Sequence, residues 1–150
     1  MTEGAAVAAL WERRLAIGSA ATLRLGTTPG VRETIGVNPV VLAGGQRVFP
    51  TSGGFFTSRE PRTLLAWNAA GDIWFVTVDG RQPSSKGWTM AEAADFVAGL
   101  GASEAVNFDG GGGTTFVVRG KVVNSPSDGA KAKKRGKVRK AVNALTLVAF

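Results

Sequence analysis

The chain has 150 residues, a mass of 15.5 kDa and a formal net charge of +7. This length suits one domain with a single core and argues against a two-domain enzyme. The sequence contains no Cys, His or Tyr, which excludes thiol nucleophiles, Ser-His triads, imidazole acid-base chemistry and the usual zinc ligands.

The first 50 residues predict short elements separated by turns. A short helix fits residues 5–15, and alternating apolar residues favour a strand over residues 21–25. Residues 40–42 and 47–49 read as two strands of a glycine-linked hairpin. The apolar stretch near the N-terminus is too short to span a membrane and follows no basic segment. The sequence therefore predicts neither a membrane span nor a secretory signal.

The loop that follows the first hairpin contains two adjacent aromatic residues. Residues 50–61 are rich in Pro, Gly, Ser and Thr, which is typical of a loop. Within it, Phe55 and Phe56 follow each other directly. We expect this pair either to fold back onto the core or to line a surface groove.

The middle of the chain predicts a hairpin and then a helix. Residues 64–67 and 73–78 form the two arms of the hairpin, and the second arm is apolar enough for a central strand. Thr89 and Glu92 have the spacing of a capping box, and apolar residues continue at helical spacing from Met90 to Leu100. Gly101 supplies a left-handed stop after this helix.

The last third returns to strands. A short buried strand fits residues 105–108, a tight glycine loop follows, residues 114–123 form a hairpin, and residues 141–150 alternate as a strand. Many short strands with one good helix predict an α+β fold: a mixed, largely antiparallel sheet with one well-defined helix packed on it. Because this helix lies between two strands, a βαβ crossover is an open alternative.

Three Asp-Gly pairs begin at Asp79, Asp109 and Asp128. Each could be no more than a turn, because Gly allows positive φ and Asp bonds its own backbone. The second pair opens a run of four glycines, which costs conformational entropy of about 0.5–1 kcal/mol each relative to Ala. Residues without a Cβ let a ligand approach consecutive amides, which can form an anion-binding nest. The run is therefore a candidate binding loop.

Basic residues concentrate in two places. Arg59 and Arg62 flank Pro61 just before a predicted strand, and Arg suits phosphate or carboxylate, although a surface ion pair would use the same residues. Residues 119–140 hold 9 of the 18 bases and 1 of the 11 acids, so the rest of the chain is nearly neutral. The densest part of this window, residues 131–140, is called the basic loop. A block of like charges of this kind is ordinarily a solvated loop without a binding role. The basic loop has no aromatic residues for base stacking, so nucleic acid is not a favoured partner.

The chain carries an ordered series of short motifs. They are Arg59-x-Pro61-Arg62-Thr63, Val76-Thr77-Val78-Asp79-Gly80-Arg81, Asn107-Phe108-Asp109-Gly110-Gly111-Gly112, Thr114-Thr115, Val122-Val123-Asn124-x-Pro126-Ser127-Asp128, Arg139 and Asn143-Ala144-Leu145. Taken in this order, the motifs resemble the phosphodiester glycosidase family. The resemblance covers residues 35–150, whereas residues 1–34 match only weakly and the family's N-terminal segment has no counterpart there.

The resemblance implies a hydrolase that cleaves a sugar from a sugar-1-phosphodiester on a glycan or a cell-wall or exopolysaccharide substrate. In that reading the carboxylates Asp79 and Asp109 are catalytic, in the manner of glycosidase carboxylates. Arg62 and Arg81 hold the phosphate. The other implied substrate-binding residues are Thr63, Asn107, Gly110, Gly111, Gly112, Thr115, Asn124, Asp128, Arg139 and Asn143. No cofactor or metal ligand is expected, with Mg²⁺ or Ca²⁺ left open because both accept carboxylate oxygens.

Departures from the family pattern support an alternative function. The family commonly has His in place of Glu60, Ser in place of Gly113 and an acidic residue in place of Val138. The alternative is a catalytically impaired module that binds anionic glycans or other polyanions through its basic loop. In the hydrolase, the same loop would steer an anionic substrate. Members of the family are mostly exported or lumenal, and the sequence leaves the compartment, the sugar and the oligomeric state open.

Overall fold

The computed structural model describes residues 35–129, 136–141 and 144–146. The elements predicted before residue 35 lie outside this part of the chain. The predicted C-terminal strand lies partly outside it, and those of its residues that are described do not form a strand.

The described residues form a five-stranded sheet in which every neighbouring pair of strands is antiparallel. The predicted α+β class, with a largely antiparallel sheet and one well-defined helix, is therefore confirmed. Within these residues no helix has the length and apolar character needed to cross a bilayer. The strands, in the spatial order β2-β1-β5-β3-β4, are β1 (Val40–Ala43), β2 (Gln46–Arg47), β3 (Arg62–Trp67), β4 (Ile73–Val78) and β5 (Glu104–Asn107).

Strand β3 lies between β4 and β5 and runs antiparallel to both. Strands β4 and β5 therefore point in the same direction, and the chain between them includes the helix α2 (Met90–Gly99). This is the crossover that the sequence left open. In the described sheet β4 is an edge strand, so the central position predicted from its apolar residues is not observed.

Helix α2 begins as the sequence predicts. Thr89 Oγ1 accepts a hydrogen bond from the Glu92 amide at 3.2 Å, and Glu92 Oε2 accepts one from the Thr89 amide at 2.9 Å. This capping box satisfies two amide donors that a helix start leaves unpaired. After the helix, Gly101 has φ +95°, the left-handed conformation expected of the stop.

The core lies between α2 and one face of the sheet. Side chains alternate across a strand, so Leu64 and Ala66 of β3 point into the core together with Arg62 at the start of the strand. A guanidinium is thereby placed at the edge of the apolar core. The buried apolar residues that make up the core are Val41, Leu42, Leu64, Ala66, Met90, Ala93, Ala94, Val97, Ala102 and Ala105.

Four smaller elements complete the described fold. A single helical turn, α1 (Gly54–Thr57), interrupts the loop before β3, and a 3₁₀ turn (Gly111–Gly113) follows β5. Strands β6 (Val117–Val118) and β7 (Lys121–Val122) form the predicted second hairpin. Its turn lies at Arg119 and Gly120, which have φ +49° and +74°.

Candidate active site

A cavity of about 440 Å³ lies where β3 begins and where β4 and β5 end. The antiparallel register brings these strand ends together, because Arg62 pairs with Val78 and Leu64 pairs with Asn107. Residues far apart in sequence therefore meet at one edge of the sheet. The lining residues are Gly54, Phe55, Ser58, Glu60, Pro61, Arg62, Arg81, Asn107, Asp109, Gly110, Gly111, Gly112 and Arg139.

The cavity gathers most, but not all, of the residues predicted from the sequence. Asp128 pairs with the lining residue Arg139. Thr63, Asp79, Thr115 and Asn124 do not line the cavity, and Asn143 lies outside the described residues. Those that line it are Arg62, Arg81, Asn107, Asp109, Gly110, Gly111, Gly112 and Arg139.

Arg62 is a buried cation at the cavity wall, with 3% of its surface exposed. Its Nε donates to the Trp88 carbonyl at 3.1 Å, and its Nη2 donates to the carbonyls of Phe55 and Ser58 at 2.8 and 2.9 Å. The guanidinium also lies 5.2 Å from the centre of the Phe55 ring. Burial lowers the pKa of Arg62, and the charge of Glu60 raises it in part. No described carboxylate forms an ion pair with Arg62, so the wall carries a cation suited to an anionic ligand.

Arg81 enters the cavity from the loop after β4. Its backbone is in the left-handed region, with φ +56°, and its Nε forms an ion pair with Glu60 Oε2. Its guanidinium lies against the 3₁₀ turn, because a Cβ at Gly111 would be 3.3 Å from both Nη1 and Nη2. Arg81 is therefore held by one carboxylate while its terminal nitrogens lie over the glycine run.

The glycine run makes room for neighbouring groups as much as for a ligand. A Cβ at Gly110 would lie 2.6 Å from the Pro61 carbonyl oxygen, and one at Gly113 would lie 3.2 Å from Asp109 Oδ2. The amides of Gly111, Gly113 and Thr114 already donate to backbone carbonyls. Among the described residues, this leaves the Gly110 and Gly112 amides without an acceptor, so the run does not offer the uninterrupted row of amides expected from the sequence.

Arg139 reaches the cavity from the described part of the basic loop, residues 136–140. Its Nε and Nη2 each lie 3.2 Å from an oxygen of Asp128, which makes a bidentate ion pair. The Lys137 amide donates to the Asp128 carbonyl at 2.8 Å, which ties this segment to the same residue. Hydrogen bonding to Arg139 holds the pKa of Asp128 below its usual value, and the same contact raises the pKa of Arg139.

Asp109 and Asn107 each bring an acceptor group to the cavity. Asp109 is exposed and forms no ion pair within 4 Å with any described residue. Asn107 is 2% exposed; its Nδ2 donates to the carbonyls of Asn38 and Phe108 at 2.9 and 2.7 Å. Its Oδ1 is buried and has no hydrogen-bond partner in the described part of the chain. An orphaned acceptor of this kind costs free energy unless a ligand donor reaches it.

Asp79 lies beside the cavity, where its hydrogen bonds fasten the end of β4 to a neighbouring loop. Its two carboxylate oxygens accept from the Ser125 amide at 3.0 and 2.9 Å, and Asn124 Nδ2 donates to Oδ1 at 3.0 Å. Asn124 also bonds the Phe116 amide and the Thr114 carbonyl. These contacts tie the end of β4 to the loop after β7. Thr63 bonds Thr114 through their hydroxyl groups at 3.3 Å, and the Thr115 hydroxyl is buried without a described partner.

The described residues contain no group of three or more His, Cys, Asp or Glu side chains arranged to hold a metal ion. Glu60 and Asp109 are the carboxylates that line the cavity. Glu60 forms an ion pair with Arg81. The donor set is therefore dominated by guanidinium groups, which fit an anion directly.

Sequence reasoning missed five lining residues, and one of them carried a signal. Phe55 and Phe56 do both things expected of the pair: Phe56 packs against the core and Phe49, while Phe55 lines the cavity. Glu60 was noted as a departure from the family pattern, but nothing in its sequence context indicated that it reaches Arg81. Pro61 stands in the Arg59-x-Pro61-Arg62-Thr63 motif, which gave no indication that Pro61 itself lines the cavity, and Gly54 and Ser58 had no distinguishing signal.

Comparison with known proteins identifies relatives of this chain by sequence. A family model described as phosphodiester glycosidase matches residues 3–148. The bovine N-acetylglucosamine-1-phosphodiester alpha-N-acetylglucosaminidase is 36% identical over 67 residues, which cover 45% of this chain and 12% of that protein. An uncharacterised SPbeta prophage-derived protein of Bacillus subtilis is 34% identical over 71 residues, covering 47% of this chain and 11% of that protein. The matches thus span only a small part of the length of these relatives.

Solved structures share the fold. The catalytic domain of the zebrafish N-acetylglucosamine-1-phosphodiester alpha-N-acetylglucosaminidase, auto-inhibited by its pro-peptide, matches with a TM-score of 0.57 and 24% identity, over 67% of this chain and 37% of that one. A hypothetical protein from Synechocystis matches with a TM-score of 0.52 and 26% identity, over 60% of this chain and 18% of that one.

Proposed function

Because this chain belongs to the phosphodiester glycosidase family, we propose that its cavity binds a sugar-1-phosphodiester and hydrolyses the bond between the sugar and the phosphate. One observation carries the proposal. The buried guanidinium of Arg62, which has no described carboxylate partner, lines the same cavity as the exposed carboxylate of Asp109. The guanidinium suits the phosphate, and the carboxylate suits the anomeric carbon, which is bonded to a phosphate oxygen. Hydrolysis of that bond therefore needs the two groups side by side.

The guanidinium groups bind and stabilise the phosphate. Arg62 and Arg81 donate hydrogen bonds to the non-bridging oxygens, and Arg139 adds positive charge beside Gly112. Charge builds on the phosphate as the glycosidic bond breaks, so fixed cations lower the barrier. Such a leaving group departs as an anion and does not depend on a strong general acid. A cavity without His is therefore chemically sufficient.

Asp109 acts on the sugar side of the scissile bond. Its carboxylate accepts a proton from a water molecule as the water oxygen bonds to the anomeric carbon. The bond between that carbon and the phosphate oxygen breaks, and its electron pair leaves with the phosphate. The proton then passes from Asp109 to solvent. The products are the free sugar and a phosphomonoester.

Phe55 and Asn107 are suited to the sugar. Phe55 is 50% exposed and lines the cavity, where its ring gives an apolar surface for the C–H face of a pyranose. The unpartnered Oδ1 of Asn107 accepts a hydrogen bond from a sugar hydroxyl or from an acetamido N–H. Together they orient the sugar relative to Asp109.

The direct test is turnover. The purified chain is incubated with the methyl phosphodiester of N-acetylglucosamine-1-phosphate, and released sugar is measured against the Asp109→Asn variant. We expect release by the unchanged chain and at most residual release by the variant. Equal release by both would remove Asp109 from the reaction. Release by neither would overturn the hydrolase.

The alternative, binding of anionic glycans without turnover, is favoured by one feature of the cavity. Two of its three guanidinium groups are already paired, Arg81 with Glu60 and Arg139 with Asp128. Lys137 and Lys140 are exposed in the described part of the basic loop and would extend the binding surface. This function predicts salt-sensitive binding of an anionic glycan with no release of sugar.

A further inference from the structure

We propose that Glu60 sets the charge selectivity of the cavity, so that a singly charged phosphodiester binds in preference to a doubly charged phosphomonoester. The inference rests on the proposed function in one respect, that the ligand is a sugar phosphate. It adds a specificity-determining residue that touches the phosphate site without being a base or nucleophile.

The backbone fixes Glu60 in the cavity wall. Glu60 and Trp88 form an isolated antiparallel bridge, in which each amide donates to the other residue's carbonyl at 3.0–3.1 Å. Gly87 makes this approach possible, because a Cβ there would lie 2.4 Å from the Glu60 carbonyl carbon and oxygen. Gly87 also has φ +88°, which an L side chain rarely adopts. The carboxylate is thus presented from a backbone with little freedom to move.

From this position Glu60 acts on two of the cavity's guanidinium groups. Its Oε2 forms the ion pair with Arg81 Nε. Its charge also acts on Arg62, whose pKa it raises against the effect of burial. An anion that binds Arg62 and Arg81 is therefore brought close to the Glu60 carboxylate.

The charges around the cavity balance a monoanion. Arg81 is paired with Glu60 and Arg139 with Asp128, so Arg62 is the lining guanidinium that has no carboxylate partner among the described residues. Its single positive charge matches a phosphodiester. A phosphomonoester loses its second proton near pH 6, so it brings an extra negative charge at pH 8. That charge has no unmatched cation and is repelled by the two carboxylates that line the cavity.

The test compares two ligands that differ in that one charge. Dissociation constants of N-acetylglucosamine-1-phosphate and its methyl phosphodiester are measured by calorimetry at pH 8. The unchanged chain should bind the diester more tightly. Glu60→Gln keeps a side-chain oxygen for Arg81 but removes the charge, and should lower the preference for the diester about tenfold, mainly by tightening the monoester.

Two further variants separate local charge from other effects. Glu104→Gln makes the same change in net charge at the other end of β5, about 10 Å along the strand from Asn107, and keeps an oxygen for the Gly44 amide. It should leave the preference unchanged. Glu60→Asp retains the charge and should retain the preference, which also tests whether position 60 tolerates substitution.

Each result has one meaning. An unchanged preference in Glu60→Gln, an equal change in Glu104→Gln, or a lost preference in Glu60→Asp overturns the role of Glu60. If the chain prefers the diester, loses that preference in Glu60→Gln and releases no sugar, the role of Glu60 stands and only the proposed hydrolase function is overturned. Failure to bind either ligand overturns both.

Discussion

The guanidinium of Arg139 lies directly over the backbone of Gly112, where a Cβ would be 2.6 Å from Nη2. The same Cβ would be 3.1 Å from Asp128 Oδ1, so the whole ion pair rests on this glycine. Arg81 lies over Gly111 in a similar way. The glycine run after β5 therefore serves to seat charged side chains at the cavity. Its conformational cost is offset by charges that the fold brings together.

Replacing glycines in this run should have different effects at neighbouring positions. Gly112→Ala pushes against the ends of flexible side chains, so we expect weaker ligand binding and little loss of stability. Gly110→Ala meets the Pro61 carbonyl oxygen at 2.6 Å, so we expect the free energy of unfolding to fall by about 1–3 kcal/mol. Thermal unfolding and ligand titration measure the two effects.

The matched control is Gly99→Ala at the end of α2. A Cβ there meets nothing within 4 Å, and helix propensity favours Ala by about 0.5–1 kcal/mol. This variant should be as stable as the unchanged chain or slightly more stable. Equal destabilisation at positions 99, 110 and 112 would contradict the seating role of the run.

Asp109→Asn should abolish most turnover. The exposed carboxylate is the candidate base, and a positioned base contributes about 10²–10⁴-fold to a rate. Initial rates of sugar release measure the effect, and Asp72→Asn, in the exposed turn between β3 and β4, serves as the control. We expect the control to keep its rate. A loss of less than about tenfold at position 109 would argue against a base there.

Arg62→Met should weaken both folding and phosphate binding. The change leaves the carbonyls of Phe55, Ser58 and Trp88 without the donor that now reaches them. Hydrogen bonds from a charged donor contribute more to stability than neutral ones, and three are lost here. We therefore expect the free energy of unfolding to fall by about 2–4 kcal/mol, measured by denaturation in urea. The control is Arg59→Met. Because Arg59 and its ion-pair partner Glu92 are far more exposed than Arg62, this change should lower the free energy of unfolding by only about 1 kcal/mol or less. Similar losses in the two variants would show that Arg62 does not tie the loop to the core.

Asp79→Asn should act on stability. One of the two oxygens that accept from the Ser125 amide becomes an amide donor, and the charge that strengthens the bond from Asn124 disappears. We expect the free energy of unfolding to fall by about 1–3 kcal/mol. Asp95→Asn removes an exposed ion pair with Arg47 and should cost no more than about 1 kcal/mol. Chemical denaturation of both variants checks the difference, and an unaltered Asp79→Asn midpoint would be evidence against the fastening role.

The Asp128–Arg139 pair should make part of the stability depend on pH. Hydrogen bonding to Arg139 lowers the pKa of Asp128 in the folded chain, so the unfolded chain binds its proton at a higher pH. The stabilising contribution is complete above the unfolded pKa of about 3.9 and disappears as the pH falls through the lower folded value. Asp128→Asn should be less stable than the unchanged chain near pH 6, and the two should converge near pH 2. Parallel melting curves across this range would disprove the coupling.

The sequence predicted the elements whose signals are local. The capping box at Thr89 and Glu92 determined where α2 begins, because its hydrogen bonds join residues three apart. Turn residues located the hairpins β1–β2 and β3–β4, because each turn joins two strands that are adjacent in the chain. The order of the motifs was enough to identify the family. The match of residues 3–148 to the phosphodiester glycosidase family model then showed that the chain belongs to it.

The partners of the charged side chains needed the tertiary structure. No sequence pattern relates Glu60 to Arg81 or Asp79 to Ser125, which lie 21 and 46 residues apart. These pairs form because antiparallel pairing brings the beginning of β3 to the ends of β4 and β5, and because glycines let the loops approach closely. Charge type is written in the sequence; which charges meet, and which remain available to a ligand, follows from how the strand ends assemble.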